Sequence, residues 1–281
     1  MRLLSTFSME HLDRLESTSI YLLREAYYGF PKMGMLWSMG KDSNVLLALV
    51  QKAFVGQIPF PIIHIDTTYE FPEMMAFRSW AQEHYGFTLI VHINEDARFG
   101  RGAYCSPIGY ETHDPLTVTH ELKTVALAQC LREHGFEALI TGIRRDEDAT
   151  RAKERYFSPR DAHGAWDYQD QPPELWDHLM MENQPGGHMR IQPLLDWSER
   201  DIWRYIEREG IPIPQMYFAR DGKRYRSLGC SPITLPIKSE ATTIAEIIEE
   251  LVHTQHSERA GRAQDHQERY AMQKLRAKGF L

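Results

Sequence analysis

The sequence predicts an α/β protein built on a doubly wound, mostly parallel sheet, and three observations carry that prediction. Short apolar runs of strand length alternate with stretches of helical period, which implies parallel strands joined by crossover helices. The hydrophobic period changes abruptly after residue 27, where a leading helix gives way to the first run. With 281 residues and 42% hydrophobic side chains, the chain can also bury a sizeable core.

Taken in order, apolar residues recur at helical spacing from Met9 to Tyr27, so an amphipathic helix precedes the sheet. Strands are expected at residues 33–37, 61–65, 88–93 and 138–141, with helices at 45–54, 72–85 and 118–134 between them. Residues 142–187 form a polar, Pro-rich stretch that reads as a long active-site loop. A strand follows at 189–192. A helix then opens on the capping pattern Ser198-Glu199-Arg200-Asp201 and runs to about Arg208. From Thr242 the chain is helical, first apolar and then densely charged. We therefore expect one α/β domain over residues 1–240, including the helix at 9–29, and a helical C-terminal tail over 241–281. The tail and the Trp-rich segments are the expected docking surfaces.

A net charge of −7 and a pI near 6.0 exclude a non-specific binder of nucleic acid or membrane surface, which presents a basic face. Cys105, Cys130 and Cys230 include no CxxC pair, so neither a disulfide framework nor a thiolate zinc site is indicated. There is no apolar leader and no apolar run of membrane-spanning length, and a cytoplasmic protein is expected. Thirteen histidines without HExxH or clustered spacing are expected to be solvated or capping residues, not metal ligands.

The most informative segment is Ser38-Met39-Gly40-Lys41-Asp42-Ser43, between the first strand and the next helix. Backbone N–H groups at a helix N-terminus converge with the helix dipole and can dock a phosphate. Gly40 permits close approach, Ser38 and Ser43 offer hydroxyls, and Lys41 offers charge. Asp42 suits a helix cap or a Mg²⁺ ion. An ordinary capped strand-to-helix turn would use similar residues. The segment is neither a Walker A loop nor a GxGxxG fingerprint.

The second strand ends in Asp66 and Thr67, where a carboxylate is placed to meet a ribose; a helix cap with Pro72 at its first turn is the competing reading. The fourth strand ends in Gly142-Ile143-Arg144-Arg145, followed by Arg151, Lys153, Arg155 and Arg160. Arginine forks bind phosphate or sulfate oxygens and neutralise a leaving pyrophosphate, although a solvated charged helix would carry similar charges.

The loop resembles the SxGxDS signature of ATP pyrophosphatases, and Asp66-Thr67-Thr68 with Phe71-Pro72-Glu73 resembles their D-T-G-x-x-F-P-E segment, with Thr68 in place of glycine. Across the rest of the chain, G-x-R-R-D-E-x-x-x-R-A-K-E-R from Gly142, F-S-P-R-D from Phe157, W-S-E-R-D-I-W from Trp197, I-P-x-x-x-x-Y from Ile211 and R-S-L-G-C-x-P-I-T from Arg226 resemble the subunit 2 family of bacterial heterodimeric sulfate adenylyltransferases (ATP sulfurylases). The stretch between Tyr217 and Arg226 is short against that pattern. The resemblance implies an adenine nucleotide alpha hydrolase-like fold, ATP and Mg²⁺, adenylyl transfer to sulfate, and a separate GTPase partner.

On this basis Lys41, Arg144 and Arg145 are the expected catalytic cations. Residues 38–43 with Asp66, Thr67 and Gly142 are expected to hold the nucleotide. Arg151, Lys153, Arg155, Arg226, Gly229 and Cys230 are weaker candidates for sulfate. Two alternatives remain: a phosphoadenylylsulfate reductase-like enzyme, which needs a nucleophilic thiolate, and a non-catalytic nucleotide-binding subunit.

Overall fold

The computed structural model describes residues 2–147, 151–167, 171, 174, 179–183, 185–254 and 258, with side chains from Glu10 onward. A helix, α1 (Arg2–Gly29), leads into β1 (Met33–Leu36), α2 (Lys41–Ala53), β2 (Ile62–Ile65), α3 (Pro72–Tyr85) and β3 (Leu89–His92). Two short helices, α4 (Glu95–Phe99) and α5 (Pro115–Thr119), precede a π-helical turn (His120–Val125) that runs directly into α6 (Ala126–His134). The chain continues through β4 (Ala138–Ile140), β5 (Phe157–Arg160), β6 (His188–Ile191), α7 (Glu199–Glu209), β7 (Lys223–Arg224), β8 (Ile237–Lys238) and α8 (Ile244–His253).

The main sheet has the order β3-β2-β1-β4-β6-β5, parallel throughout except that β5 runs antiparallel to β6. Successive side chains point to opposite faces of a strand, and the core divides accordingly. Met35, Ile62 and Ile140 join α1, α2 and α7 in the larger core, while Leu36, Ile63 and Leu139 meet Leu127 and Cys130 of α6 on the other face. From β1 the chain steps one way to β2 and β3 and the other way to β4 and β6. The switch point, where ligands bind in such sheets, therefore lies at the carboxyl ends of β1 and β4.

Local chemistry sets the helix ends. Pro72 opens α3, and Gly86 closes it at φ 66°. Ser198 and Asp201 form the reciprocal capping box of α7.

Several expectations are revised. The polar stretch after β4 contains strand β5, whose Pro159 is tolerated because the strand lies at the sheet edge. The helix expected at 118–134 is interrupted by the π turn, and α2 starts at Lys41, three residues inside the phosphate loop. Trp197 and Trp203 are each about 1% exposed or less and belong to the core, so those Trp-rich segments are packing and not docking surface. Ile247 and Leu251 of α8 join the same core as α7, so the chain beyond residue 240 begins as part of the domain. Of the charged tail, residues 255–257 and 259–281 lie outside the described residues.

Candidate active site

The loop after β1 is braced before any ligand arrives. Trp37 Nε1 donates to Asn44 Oδ1 at 2.8 Å, and Asn44 Nδ2 donates to the Met39 carbonyl at 3.0 Å. Ser43 Oγ donates to the Gly40 carbonyl at 2.9 Å, with Ser38 Oγ 3.4 Å from it. The Tyr217 hydroxyl accepts the Lys41 N–H at 2.9 Å, taking one of the helix-terminal donors of α2. Met39 is buried with φ 62°, a left-handed conformation that L side chains adopt at a cost. A Cβ at Gly40 would stand 3.3 Å from Ser38 Oγ and 3.4 Å from the Tyr217 hydroxyl.

Beside this loop the sheet holds a compact charge cluster. Arg144, fully buried, donates from Nε to Asp42 Oδ1 at 2.6 Å and from NH2 to Glu258. Lys41, 1% exposed, meets Asp42 Oδ2 at 3.0 Å and also Glu258. Burial works against the charged form of Lys41, but Asp42 and Glu258 outweigh it and the lysine pKa is raised. For Glu258, burial pushes the carboxyl up, and Arg144 and Lys41 pull it below the ordinary range. Lys41 and Arg144 thus share Asp42 and Glu258 in one group, with Asp146 a further 3.5 Å ion pair on Arg144 at its exposed side.

The end of β2 differs. Burial pushes the His64 imidazole pKa down against the pull of Glu70 and Asp66. Asp66 Oδ1 accepts from Thr68 N at 2.8 Å and Oδ2 from Arg78 NH1 at 3.1 Å, and the carboxyl is lowered despite its burial. Thr67 Oγ1 donates to Glu70 at 2.9 Å and lies 3.3 Å from Cys230 Sγ. Thr68 has φ 64°, so the turn requires the glycine-favoured conformation at a threonine.

A cavity of about 250 Å³ opens between these two groups. Residues 38–43 and Gly142 line it, as do Arg151 and Gly229; Asp66, Thr67 and Arg144 stand directly behind the lining. Arg145 does not face it: its guanidinium pairs with Asp196, donates to the Glu154 carbonyl and lies over Tyr156. Lys153 is exposed, Arg155 is outside the lining, Arg226 pairs with Glu199 at 2.7 Å, and Cys230 is buried against Thr67. Both oxygens of Asp42 are engaged by Arg144 and Lys41, so the carboxylate meets a Mg²⁺ ion only where one of those pairs opens. Sequence reasoning missed Lys123 and Thr124 in the π turn, Tyr217, Glu258 and the His64–Glu70 pairing. A π turn often marks a functional site, but it has no sequence signature.

The fold and this crevice together define an α/β protein of the adenine nucleotide alpha hydrolase-like class, with a braced loop at the switch point of a parallel sheet. The comparisons agree: residues 32–236 match the family model of the phosphoadenosine phosphosulfate reductase domain. Among solved structures, a phosphoadenylyl-sulfate reductase from Candida auris superposes with a TM-score of 0.52 at 20% identity, covering 80% of this chain and 97% of that one. Yeast FAD synthetase in complex with FAD gives 0.57 at 18% identity, covering 91% of each chain. A sulfate adenylyltransferase subunit 2 from Alkalilimnicola ehrlichii is 43% identical over 96% of this chain and 94% of its own length. The chain belongs to the sulfate adenylyltransferase subunit 2 family. That alignment spans 301 positions, so the relative carries stretches that this chain of 281 residues lacks.

Proposed function

We propose that the chain transfers the adenylyl group of ATP to sulfate, giving adenosine 5′-phosphosulfate and pyrophosphate. The observation that carries this reading is the pair of buried cations, Lys41 and Arg144, beside a braced helix N-terminus at the switch point. In the reaction a sulfate oxygen bonds to the α-phosphorus while the bridging bond to the β-phosphate breaks. Sulfate is already a dianion near neutral pH, so no general base is needed. Catalysis then consists of positioning two mutually repelling anions and stabilising the departing charge.

In this reading the backbone N–H groups of Gly40, Asp42 and Ser43, with the side chains of Ser38, Ser43 and Lys41, hold the β- and γ-phosphates, and Arg144 neutralises charge on the leaving pyrophosphate. Asp66 and Thr67 hold the nucleoside end beyond Gly142. Arg151 and the backbone at Gly229, which line the cavity, are the best-placed of the weaker candidates for sulfate. Mg²⁺ arriving with ATP would neutralise phosphate charge, and Asp42 would serve it once the phosphates draw Lys41 and Arg144 toward themselves. Arg145, fixed on Asp196 and the Glu154 carbonyl, stands outside the cavity and takes no part in this reading.

The sulfate–phosphate anhydride is high in energy, so we infer a GTPase subunit as the driving partner, with the charged tail contributing to docking. A supply of ATP and sulfate places the reaction in the cytoplasm; no helix among the described residues is long and apolar enough to cross a membrane. A reductase reading needs a thiolate at the cavity, and the one exposed cysteine, Cys105, lies outside its lining. Cys230 is fully buried, and burial pushes the Cys130 thiol up to about 11. The test is sulfate-dependent pyrophosphate release from ATP by the chain alone and with its partner and GTP. The reading is lost if no pyrophosphate appears under either condition.

A further inference from the structure

The group at the end of β2 is short of positive charge. His64 and Asp66 sit two positions apart and so share a face, and the turn through Thr68 brings Glu70 back onto them. One ring nitrogen of His64 and one oxygen from each carboxylate lie within 4.8 Å of one another. Two carboxyl groups face one another here, and Arg78, on Asp66, is the one cation with an ion pair to them among the described residues.

The lone pairs point the same way. His64 Nδ1 lies 3.3 Å from the Trp37 carbonyl, an acceptor, so in the neutral ring Nδ1 is the donor and Nε2 is left with its lone pair. Nε2 is buried, on a side chain 3% exposed, and has no hydrogen-bond partner. Glu70 Oε2 is likewise buried and without a partner, while Oε1 accepts from Thr67. A backbone carbonyl on one ring nitrogen and a bare second nitrogen is the arrangement that orients a histidine as a metal ligand.

We propose that His64, Asp66 and Glu70 bind a divalent cation on the wall of the cavity. One imidazole with two carboxylates suits a borderline ion such as Zn²⁺ or Mn²⁺ better than Mg²⁺, which prefers an all-oxygen shell. Ligand bonds of about 2.0–2.2 Å require the three side chains to close by roughly an ångström. His64 and Glu70 line the cavity, so the ion keeps open positions there, the pattern of a site that meets a substrate. The assignment rests on these side chains and not on the proposed reaction.

The test is a titration of the chelator-stripped, untagged full chain with Co²⁺, a spectroscopic stand-in for Zn²⁺, in the absence of nucleotide. We expect one equivalent to bind with visible d–d bands, Zn²⁺ to displace it, and millimolar Mg²⁺ to leave it in place. Glu70→Gln, which keeps the acceptor for Thr67, is expected to weaken binding about 10- to 100-fold, and His64→Gln to abolish the bands, with circular dichroism confirming that both variants fold. Absence of stoichiometric binding by the native chain, or equal affinity in folded Glu70→Gln and His64→Gln, overturns the assignment. Neither readout involves adenylyl transfer, so a failed metal site leaves the proposed reaction standing.

Discussion

At the end of β1 the carboxylates meet cations supplied by the protein: Asp42 and Glu258 each take Arg144 and Lys41. At the end of β2, on the wall of the same cavity, two carboxyl groups and an imidazole have, among the described residues, Arg78 as their one ion-paired cation. The first group is balanced within itself and can be opened only by a competing anion. The second is left for a cation to complete. Under the proposed function one wall receives negative charge and the other positive charge, the pairing that a nucleotide and its counter-ion would need.

The sharpest way to break this contrast is to remove a cation from the balanced wall. Arg144→Met strands Asp42 and the buried Glu258, and we expect a loss of about 3–5 kcal/mol in stability by urea denaturation. Adenylyl transfer should fall by about 10²–10³-fold, the size of effect seen when a transition-state charge partner is lost. Activity within tenfold of the native chain would falsify the role given to Arg144.

His188 offers a third case, a titratable group whose neighbours are cations. Burial and then Arg190 and Arg160 push its imidazole from 6.5 down to about 3. The unfolded chain therefore binds a proton that the folded chain refuses, and stability falls as pH drops from 6.5 toward 3, by up to about 1.4 kcal/mol per pH unit. Urea midpoints measured from pH 7 to pH 4 should show this slope flattened in His188→Gln. A slope unchanged by the substitution assigns the acid sensitivity elsewhere.

A smaller effect tests the balanced wall from its other side. Glu258 occupies the position of an anion, so Glu258→Gln should tighten pyrophosphate binding about tenfold by calorimetry, about 1.4 kcal/mol. Weaker binding in that variant means instead that Glu258 holds Lys41 and Arg144 in place for the ligand.

A last pair of substitutions compares the two turns. Thr68→Gly relieves an exposed left-handed residue and should raise stability by about 1 kcal/mol. Met39→Gly relieves the same backbone conformation but removes a fully buried side chain, and should lower stability by about 2 kcal/mol. If both substitutions stabilise, Met39 contributes nothing to the core.

Much of this was legible in the sequence for local reasons. The apolar runs of β1 and β2, Pro72 at the start of α3 and the Ser198–Asp201 cap are signals within a few residues of each other, and the structure follows them. Strand β5 was hidden because Phe157-Ser-Pro-Arg has neither alternation nor β-branching, and only its edge position makes it a strand. Arg144 and Arg145 looked equivalent, yet successive side chains diverge, and Asp196 claims the second. His64 was set aside with the other histidines because its partner Glu70 returns through a turn and not through a helix repeat. The residues that complete the loop come from far along the chain, which no local pattern reveals.

That distance bears on how the molecule is made. The brace on Lys41 comes from a residue 176 positions later, and its counter-charge from one 217 positions later. A chain emerging from the ribosome displays the phosphate loop early and has neither partner for it until most of the molecule has been synthesised. Non-local contacts of this kind form late because loop closure must precede them. The loop is therefore completed late in biosynthesis, and a chain cut short before Tyr217 carries it in full yet lacks both the hydroxyl that braces it and one of the two carboxylates that pair with Lys41.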